Sequence, residues 1–160
     1  MVTVFVIGGV AGLLRGWLAE DRTTVDCDVM QLHPEEEGER LRTAAEAIAP
    51  RLGLEQNWLN RDSKVFAWQM PLSWQGRCEH FADFGPLRVM ALSRRDLIAA
   101  KVMAAAKRMQ DREDLQALKP SVDDLDFVAQ HLQRVERETE PGHCEPQQKI
   151  VERLRRQLEG

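Results

Sequence analysis

An unbroken run of strand-forming residues that ends at two glycines most constrains the fold of this chain. Residues 2–7 read Val-Thr-Val-Phe-Val-Ile, and Gly8-Gly9 follow directly. β-Branched and aromatic residues without polar alternation predict a strand covered on both faces, as in the interior of an α/β sheet. Two glycines after such a strand permit a tight turn whose backbone N–H groups can point at phosphate oxygens. An ordinary turn without a ligand is the alternative interpretation.

The sequence after this turn predicts a sheet-building half followed by a helical half. Hydrophobic spacing and turn residues predict strands at 22–30, 64–70, 77–84 and 87–92, the last three as an antiparallel meander. The same reasoning predicts helices at 10–18, at 39–49 with Pro50 as its end, at 94–108, from 121 onward and at 147–159. Ser93 to Asp96 and Ser121 to Asp124 have the Ser-x-x-Asp form of a helix capping box.

Length and charge limit the classes of function. The 160 residues suffice for one domain with a helical appendage, and we predict a core over 1–119 and a helical extension over 120–160 packed on it. A net charge of −4 argues against a surface that coats nucleic acid. Three widely spaced cysteines, with no signal peptide and no long apolar stretch, predict a cytoplasmic protein without a membrane span.

Two carboxylates follow the glycine turn in the predicted second strand. Asp26 and Asp28 are two residues apart, so on a strand they project from the same face toward one site. Converging carboxylates beside a phosphate-binding turn are ligands that Mg²⁺ prefers, with nucleotide phosphates completing the coordination. Two solvated aspartates near a strand end are the alternative. Cys27 points to the opposite face, which favours a packed thiol over a nucleophile.

A second group of charged residues lies in and after the predicted helix 94–108. Lys101 and Arg108 are seven residues apart and so share one helix face, and Asp111 follows Arg108 by three. Lys101 borders an apolar stripe, where a lysine either extends its amine to solvent or points into a cleft. Taken alone, Arg108, Asp111 and Asp114 are interpreted as a solvated helix end with intrahelical ion pairs.

These two blocks together resemble the nucleotidyltransferase-fold superfamily to which DNA polymerase β belongs. The first block is Gly8-Gly9 followed by Arg22-x-Thr24-x-Asp26-x-Asp28, and the second is a helix with Lys101 followed by Arg108, Asp111 and Asp114. More closely, the chain resembles small bacterial nucleotidyltransferase-like proteins related to AbiEii-type abortive-infection toxins. The resemblance covers about residues 4–130. It implies an α/β (α+β) fold: a nucleotidyltransferase-like mixed sheet of about five strands flanked by helices, with C-terminal helices.

The resemblance also implies roles for individual residues. Nucleotide binding falls to Gly8, Gly9, Arg22, Thr24, Lys101 and Arg108. Mg²⁺ is expected at Asp26 and Asp28, which count as catalytic together with Lys101, Asp111 and Asp114. Either Asp111 or Asp114 would orient the lysine or help to activate the acceptor. Superfamily members that act as polymerases add a third metal-binding carboxylate on a later strand, and Glu79 and Asp83 are the candidates here.

The activity expected from these features is Mg²⁺-dependent transfer of a nucleoside monophosphate from a nucleoside triphosphate to an acceptor hydroxyl. The acceptor stays open among an RNA end, a protein side chain and a small molecule. The resemblance further implies the toxin half of a toxin–antitoxin pair, with an antitoxin protein as partner. The alternative function is a non-catalytic nucleotide-binding or protein-interaction module on the same fold. Helices in 121–159 also permit a homodimer.

Overall fold

The computed structural model describes residues 1–19 and 21–160, which form two compact units. The first, here called the sheet unit, comprises residues 1–68 and 73–93. The second, here called the helical unit, comprises residues 69–72 and 94–160. The chain has the mixed α/β fold that the sequence predicts: a five-stranded mixed sheet with flanking helices, and helices at the C-terminal end.

The sheet unit is organised by strand order β3-β2-β1-β5-β4. The central strand β1 pairs antiparallel with β2 and parallel with β5, while β3 is parallel to β2 and β4 is antiparallel to β5. The strands are β1 (Val2–Val6), β2 (Cys27–His33), β3 (Leu59–Asn60), β4 (Glu79–Phe84) and β5 (Leu87–Ala91). The helices are α1 (Gly8–Leu14), α2 (Gly38–Leu52) and the single turn α3 (Trp74–Arg77), with a 3₁₀ turn at Glu35–Glu37.

Strand β1 is buried on both faces, as its unbroken apolar sequence predicts. On one face Val4 and Val6 join a core cluster that also contains Val29 and Leu32. On the other face the ring of Phe5 meets the ring of Trp74 edge-to-face, with 5.8 Å between centroids. Because successive strand residues alternate between faces, burial of both sets requires cover on both sides of the sheet. The turn that follows β1 is therefore held in a fixed position.

The helical unit is built around one central helix. Helix α4 (Arg94–Ala105) packs against α5 (Met109–Leu118), α6 (Val122–Arg137) and α7 (Glu145–Glu159). The predicted capping box at the start of α6 is confirmed, since the Ser121 hydroxyl accepts from the Asp124 N–H and the Asp124 carboxylate accepts from the Ser121 N–H. The core is aliphatic and includes Leu97, Ile98, Val102, Leu115, Leu125, Val128, Leu132, Val135, Ile150, Val151 and Leu154.

The prediction of a strand at 64–70 is wrong, because this segment is a 3₁₀ helix over Asp62–Gln69. Val65, Phe66 and Trp68 have the composition of a strand, but they are 69%, 56% and 48% exposed. A strand is stabilised when the side chains of one face pack against a core, and these side chains are exposed instead. The prediction that three strands form a meander is wrong as well; of the three segments, only β4 and β5 are strands, and they pair as a hairpin.

Three predicted boundaries also shift. Strand β2 begins at Cys27 and not near 22, because residues 23–26 are exposed in spite of two threonines and a valine. Helix α1 begins at Gly8 and ends at Leu14, before Gly16 at φ +68°. Helix α2 continues past Pro50 to Leu52, since a proline in the last turn removes only one backbone hydrogen bond, and the left-handed Gly53 ends it. Among the described residues, no helix is long and apolar enough to cross a membrane.

Candidate functional site

The glycine turn after β1 brings the backbone of Gly8 against the carboxylate of Asp28. The Ile7 N–H donates to the Asp28 carbonyl at 3.0 Å, which joins the end of β1 to β2. Gly8 has a φ of +66°, and a Cβ at this position would lie 3.2 Å from Asp28 Oδ2. Both the left-handed backbone and the close approach favour glycine at this position. The turn and the carboxylate therefore form one local site.

The backbone of Gly9 lies against the guanidinium of Arg22, as the backbone of Gly8 lies against the Asp28 carboxylate. A Cβ on Gly9 would lie 2.5 Å from Arg22 Nη1, so the absence of a side chain makes room for the cation. Arg22 Nη1 also donates to the Thr23 carbonyl at 2.9 Å. A planar guanidinium beside unhindered backbone is suited to bind a phosphate oxygen. The turn thus carries a negative group at its first glycine and a positive group at its second.

Asp26 and Thr24 lie outside the strand that was predicted to carry Asp26. Asp26 directly precedes β2 and is exposed, whereas Asp28 is inside β2 and half-buried. The Thr24 hydroxyl lies 3.1 Å from the Asp26 carbonyl and 3.3 Å from Asp26 Oδ1. The rule that strand residues two apart share a face consequently does not apply to this pair, and that part of the prediction is wrong. Thr24 restrains Asp26 locally instead.

The thiol of Cys27 lies between the two aspartates and is affected both by burial and by their charges. Burial, together with the negative charges of Asp28 and Asp26, raises the pKa of Cys27 to about 11. The thiol is therefore protonated at neutral pH and cannot serve as a nucleophile. It packs against the core cluster of the sheet unit, as the sequence predicts. The same field that disfavours a thiolate favours a cation at the start of β2.

A residue that sequence reasoning missed lies beside Asp28 on the neighbouring strand. The parallel pairing of β2 and β3 sets Cys27 opposite Leu59 and Asp28 opposite Asn60. Adjacent residues in register project from the same face, so the Asn60 amide stands next to the Asp28 carboxylate. Asn60 Oδ1 accepts from the Asp62 N–H at 3.1 Å. A two-residue strand with no apolar pattern offered no signal from which this neighbour could be found.

The predicted candidates for a third carboxylate lie elsewhere in the sheet unit. Glu79 and Asp83 are on the edge strand β4, which β5 and β1 separate from β2. Glu79 forms an ion pair with Arg15. Asp83 accepts from Arg88 at 2.9 Å, and hydrogen bonds from Arg88 and His80 lower the pKa of Asp83. Neither carboxylate stands beside Asp28. Within residues 1–19 and 21–160, no three acidic, histidine or cysteine side chains are grouped to hold a metal ion.

The second block of predicted site residues forms a buried cluster in the helical unit. Lys101 Nζ lies 2.6 Å from Asp111 Oδ1 and 2.6 Å from Asp114 Oδ2. The exposed fractions are 4% for Lys101, 2% for Asp111 and 3% for Asp114. Two aspartates thus fix one lysine inside the unit. The alternative interpretations, a lysine that extends to solvent and a solvated helix end, are wrong for these three residues.

A helix break creates this cluster. The predicted single helix 94–108 ends at Ala105, and α5 begins at Met109 after an extended Arg108 with φ −127° and ψ 120°. Lys101 and Arg108 consequently do not share a helix face, so that prediction is wrong. Arg108 Nε lies 3.3 Å from Asp111 Oδ2, with most of the arginine side chain exposed. The break turns α5 so that its acidic side meets Lys101 on α4.

A family match includes both groups of predicted site residues, the one at the glycine turn and the one around Lys101. No curated protein and no solved structure matches the chain. Residues 1–138 match a protein family whose description is nucleotidyltransferase of unknown function (DUF6036). The match includes the glycine turn with Asp28 in the sheet unit and the cluster around Lys101 in the helical unit. The chain therefore belongs to this nucleotidyltransferase family.

Proposed function

We propose that the protein transfers a nucleoside monophosphate from a nucleoside triphosphate to an acceptor hydroxyl in a Mg²⁺-dependent reaction. The observation that carries the proposal is the glycine turn, where Asp28 stands against Gly8 and Arg22 against Gly9. One acidic and one basic group beside a glycine turn match the needs of a metal-bound triphosphate: oxygen ligands for the cation and donors for the phosphates. Membership of a nucleotidyltransferase family supports the reaction class.

The donor set beside the turn fits one Mg²⁺ ion. Mg²⁺ is usually bound through one or two carboxylates and substrate phosphates, without a complete cage of protein ligands. Asp28 and Asp26 would supply the carboxylates, and the Asn60 amide oxygen stands in register with Asp28. When bound, the metal would neutralise triphosphate charge and lower the pKa of the attacking hydroxyl.

The chain's own residues would contribute mainly position and charge. Backbone N–H groups of Gly8 and Gly9 would donate to phosphate oxygens, and Arg22, with Thr24 beside it, would hold the phosphate group on the other side. Fixing the triphosphate aligns its α-phosphorus with the acceptor oxygen and excludes unproductive orientations. Positive groups that face the departing pyrophosphate stabilise the charge that develops on it. Nucleotidyl transfer requires little further covalent chemistry from the protein.

The same proposal assigns the helical unit a share in nucleotide binding. An ammonium group has three N–H donors, and Asp111 and Asp114 occupy two directions around Lys101 Nζ. The remaining donor direction would serve a phosphate or base oxygen, while Arg108 would add a second, exposed cation. Asp111 and Asp114 would act as positioning residues, because they hold the lysine and do not touch the substrate.

Calorimetric titration with each nucleoside triphosphate, with and without Mg²⁺, tests the metal site. We expect binding that needs Mg²⁺ and that weakens at least tenfold in Asp28→Asn, which keeps the shape and removes the negative charge. Asp123→Asn is the matched control, since Asp123 is an exposed aspartate in the first turn of α6. Equal Mg²⁺-dependent affinity in wild type and Asp28→Asn would refute the role of the carboxylate.

Transfer itself is tested with α-labelled nucleoside triphosphates incubated with the protein and either cellular RNA, total protein or small-molecule extracts. We expect label in one of the three fractions with the wild type and none with Asp28→Asn. Labelled acceptor that forms equally well without Mg²⁺ would contradict the proposed chemistry. The fraction that carries the label identifies the class of acceptor.

A non-catalytic nucleotide-binding or protein-interaction module is the second candidate function. One observation favours it: Glu79 and Asp83 lie on β4, away from Asp28, so neither candidate supplies a third carboxylate beside Asp28. Such a module would bind nucleoside triphosphate but leave the α-phosphate untransferred. Nucleotide binding that persists without Mg²⁺, together with no labelled acceptor, would establish this second function over the first.

A toxin of a toxin–antitoxin pair, acting in the cytoplasm, is the physiological role that we propose from the resemblance to abortive-infection proteins. Induced expression in a bacterial host is expected to stop growth, and co-expression of an adjacent gene is expected to restore it. Asp28→Asn is the control that separates transferase-dependent arrest from the burden of expression. Growth arrest that persists with Asp28→Asn would contradict a toxin that acts by nucleotidyl transfer.

A further inference from the structure

A surface groove in the helical unit has a lining unlike that of the proposed nucleotide site. It has a volume of about 340 Å³ and lies between α5 and α7. Its lining includes the buried side chains of Leu115 and Leu154 and the sulfur-containing side chain of Met109. Pockets that bind small molecules begin at about 300 Å³ and combine an apolar surface with a few polar groups. The groove meets the size criterion, and polar or charged side chains make up five of its eight lining residues.

The groove results from the way its two helices are supported. Helices α5 and α7 each pack on the central helix α4, so the space between them is open to solvent. Arg112 on α5 is anchored beside this space, because its Nε donates to the Ala105 carbonyl at the end of α4 at 2.8 Å. Its Nη1 lies 3.7 Å from Met109 Sδ. The guanidinium is therefore held in place before any ligand arrives.

The charges in the groove select an anion. Arg112 and Arg153 line it from opposite helices, and neither forms an ion pair with any residue in 1–19 or 21–160. Glu113 is the acidic residue of the lining, which leaves a formal charge of +1. A guanidinium binds planar oxyanions through paired N–H donors. A single net positive charge matches a monoanion better than a dianion.

We propose that this groove binds a small organic monocarboxylate with an apolar body. The carboxylate would lie between Arg112 and Arg153, and the apolar body would lie against Met109, whose side chain is exposed at the edge of the groove. Helix α7 supplies three of the eight lining residues and lies beyond residues 1–138, which carry the family match. The lining contains none of the residues proposed to bind nucleotide or metal, and the test of this site needs neither nucleotide nor Mg²⁺.

Hexanoate is the probe for this site, in a ¹H–¹⁵N NMR titration of the full chain. We expect saturable shifts of backbone amides in 109–116 and 153–157, with a dissociation constant on the order of millimolar for so few ligand atoms. Arg153→Gln is expected to weaken hexanoate about fivefold, the range of a partly exposed charge pair. Arg153 is exposed and unpaired within the described chain, so this variant is expected to fold.

One control variant and two further ligands test whether the groove binds the carboxylate as proposed. Arg156→Gln is the matched control, since Arg156 is an exposed arginine on the same helix outside the groove lining. Unchanged affinity in Arg156→Gln with weakened affinity in Arg153→Gln supports the site. Hexylammonium that binds as well as hexanoate would overturn the proposal, as would equal hexanoate affinity in the two variants. Tighter binding of hexyl phosphate would overturn the preference for a carboxylate.

Discussion

Lys101 places a positive charge inside the helical unit, where water is largely excluded. Its two aspartate partners bring two negative charges, so the three buried groups together carry a formal charge of −1. Arg108, 3.3 Å from the outer oxygen of Asp111, offsets part of this excess from the surface. An ion pair taken out of water is stabilising only while each charge keeps its partner. Removal of the lysine and removal of one aspartate therefore differ in their cost, because the first leaves two buried carboxylates without a cation and the second leaves a neutral pair.

Replacing Lys101 with methionine is expected to lower the free energy of unfolding by about 3–5 kcal/mol, because two buried carboxylates lose their cation. Asp114→Asn should cost much less, about 1 kcal/mol, since it leaves Lys101 and Asp111 as a neutral pair. Urea unfolding followed by circular dichroism measures both changes. Equal losses in the two variants would contradict a cluster governed by charge balance.

Gly8→Ala is expected to reduce stability and nucleotide affinity together. The left-handed backbone costs a side chain about 1–2 kcal/mol, and the new Cβ would press on Asp28 Oδ2. Gly16→Ala is the matched control, since Gly16 has a φ of +68° and no atom within 4 Å of the Cβ position. Urea unfolding and calorimetry of both variants separate backbone strain from the contact. Nucleotide affinity that falls equally in both would contradict a special role for Gly8.

At the scale of elements, regular patterns were predicted well and irregular ones were not. Strand β1 and helix α6 have a single strong signal each, an unbroken apolar run and a capping box before an apolar stripe. The break between α4 and α5 contains no glycine or proline, so residues 106–108 read as continuous helix. Asn60 became Asp28's neighbour only through pairing between distant segments. The cluster around Lys101 and the position of Asn60 beside Asp28 thus depend on tertiary contacts, which local sequence patterns do not predict.

Helix α6 carries a buried titratable group that makes stability depend on pH. His131 is 6% exposed, and burial, with the nearby charge of Arg134, lowers the pKa of His131 to about 4. An unfolded histidine titrates near 6.5, so between these values the unfolded chain binds the proton more readily. Stability is therefore expected to fall as the pH drops from about 6.5 to 4, by about 3 kcal/mol at most.

Urea unfolding at pH 7, 5.5 and 4.5 measures this dependence. His131→Leu is expected to flatten it, because the leucine cannot be protonated. His143→Gln provides the control, since His143 is exposed and its replacement should leave the slope unchanged. A wild-type slope that survives in His131→Leu would assign the pH dependence to other groups.

At the scale of the whole molecule, the family match ends before the last helix begins. Residues 1–138 carry the match, whereas α7 spans Glu145–Glu159. Helix α7 nevertheless buries Ile150, Val151 and Leu154, and Gln147 Nε2 donates to the Met103 carbonyl at 3.2 Å. These contacts make α7 an integral part of the helical unit and not an appended tail.

Removal of residues 139–160 is expected to destabilise the helical unit by several kcal/mol. Burial of an aliphatic side chain contributes about 1.5–3 kcal/mol, and three such contributions are lost. Thermal unfolding and limited proteolysis measure the effect, with protease cuts expected in α4 and α6. A truncated chain that keeps the thermal midpoint of the full chain would contradict this role of α7.

The irregular pairing of β4 has a consequence for behaviour at high protein concentration. This strand forms one edge of the sheet, and its ladder with β5 shifts between His80 and Ala82, which leaves Phe81 as an extra residue. A straight edge of unpaired backbone groups can recruit further chains into fibrils, and a bulge bends and twists it away from that geometry. We therefore expect the one inserted residue to protect the aromatic edge from amyloid-like growth.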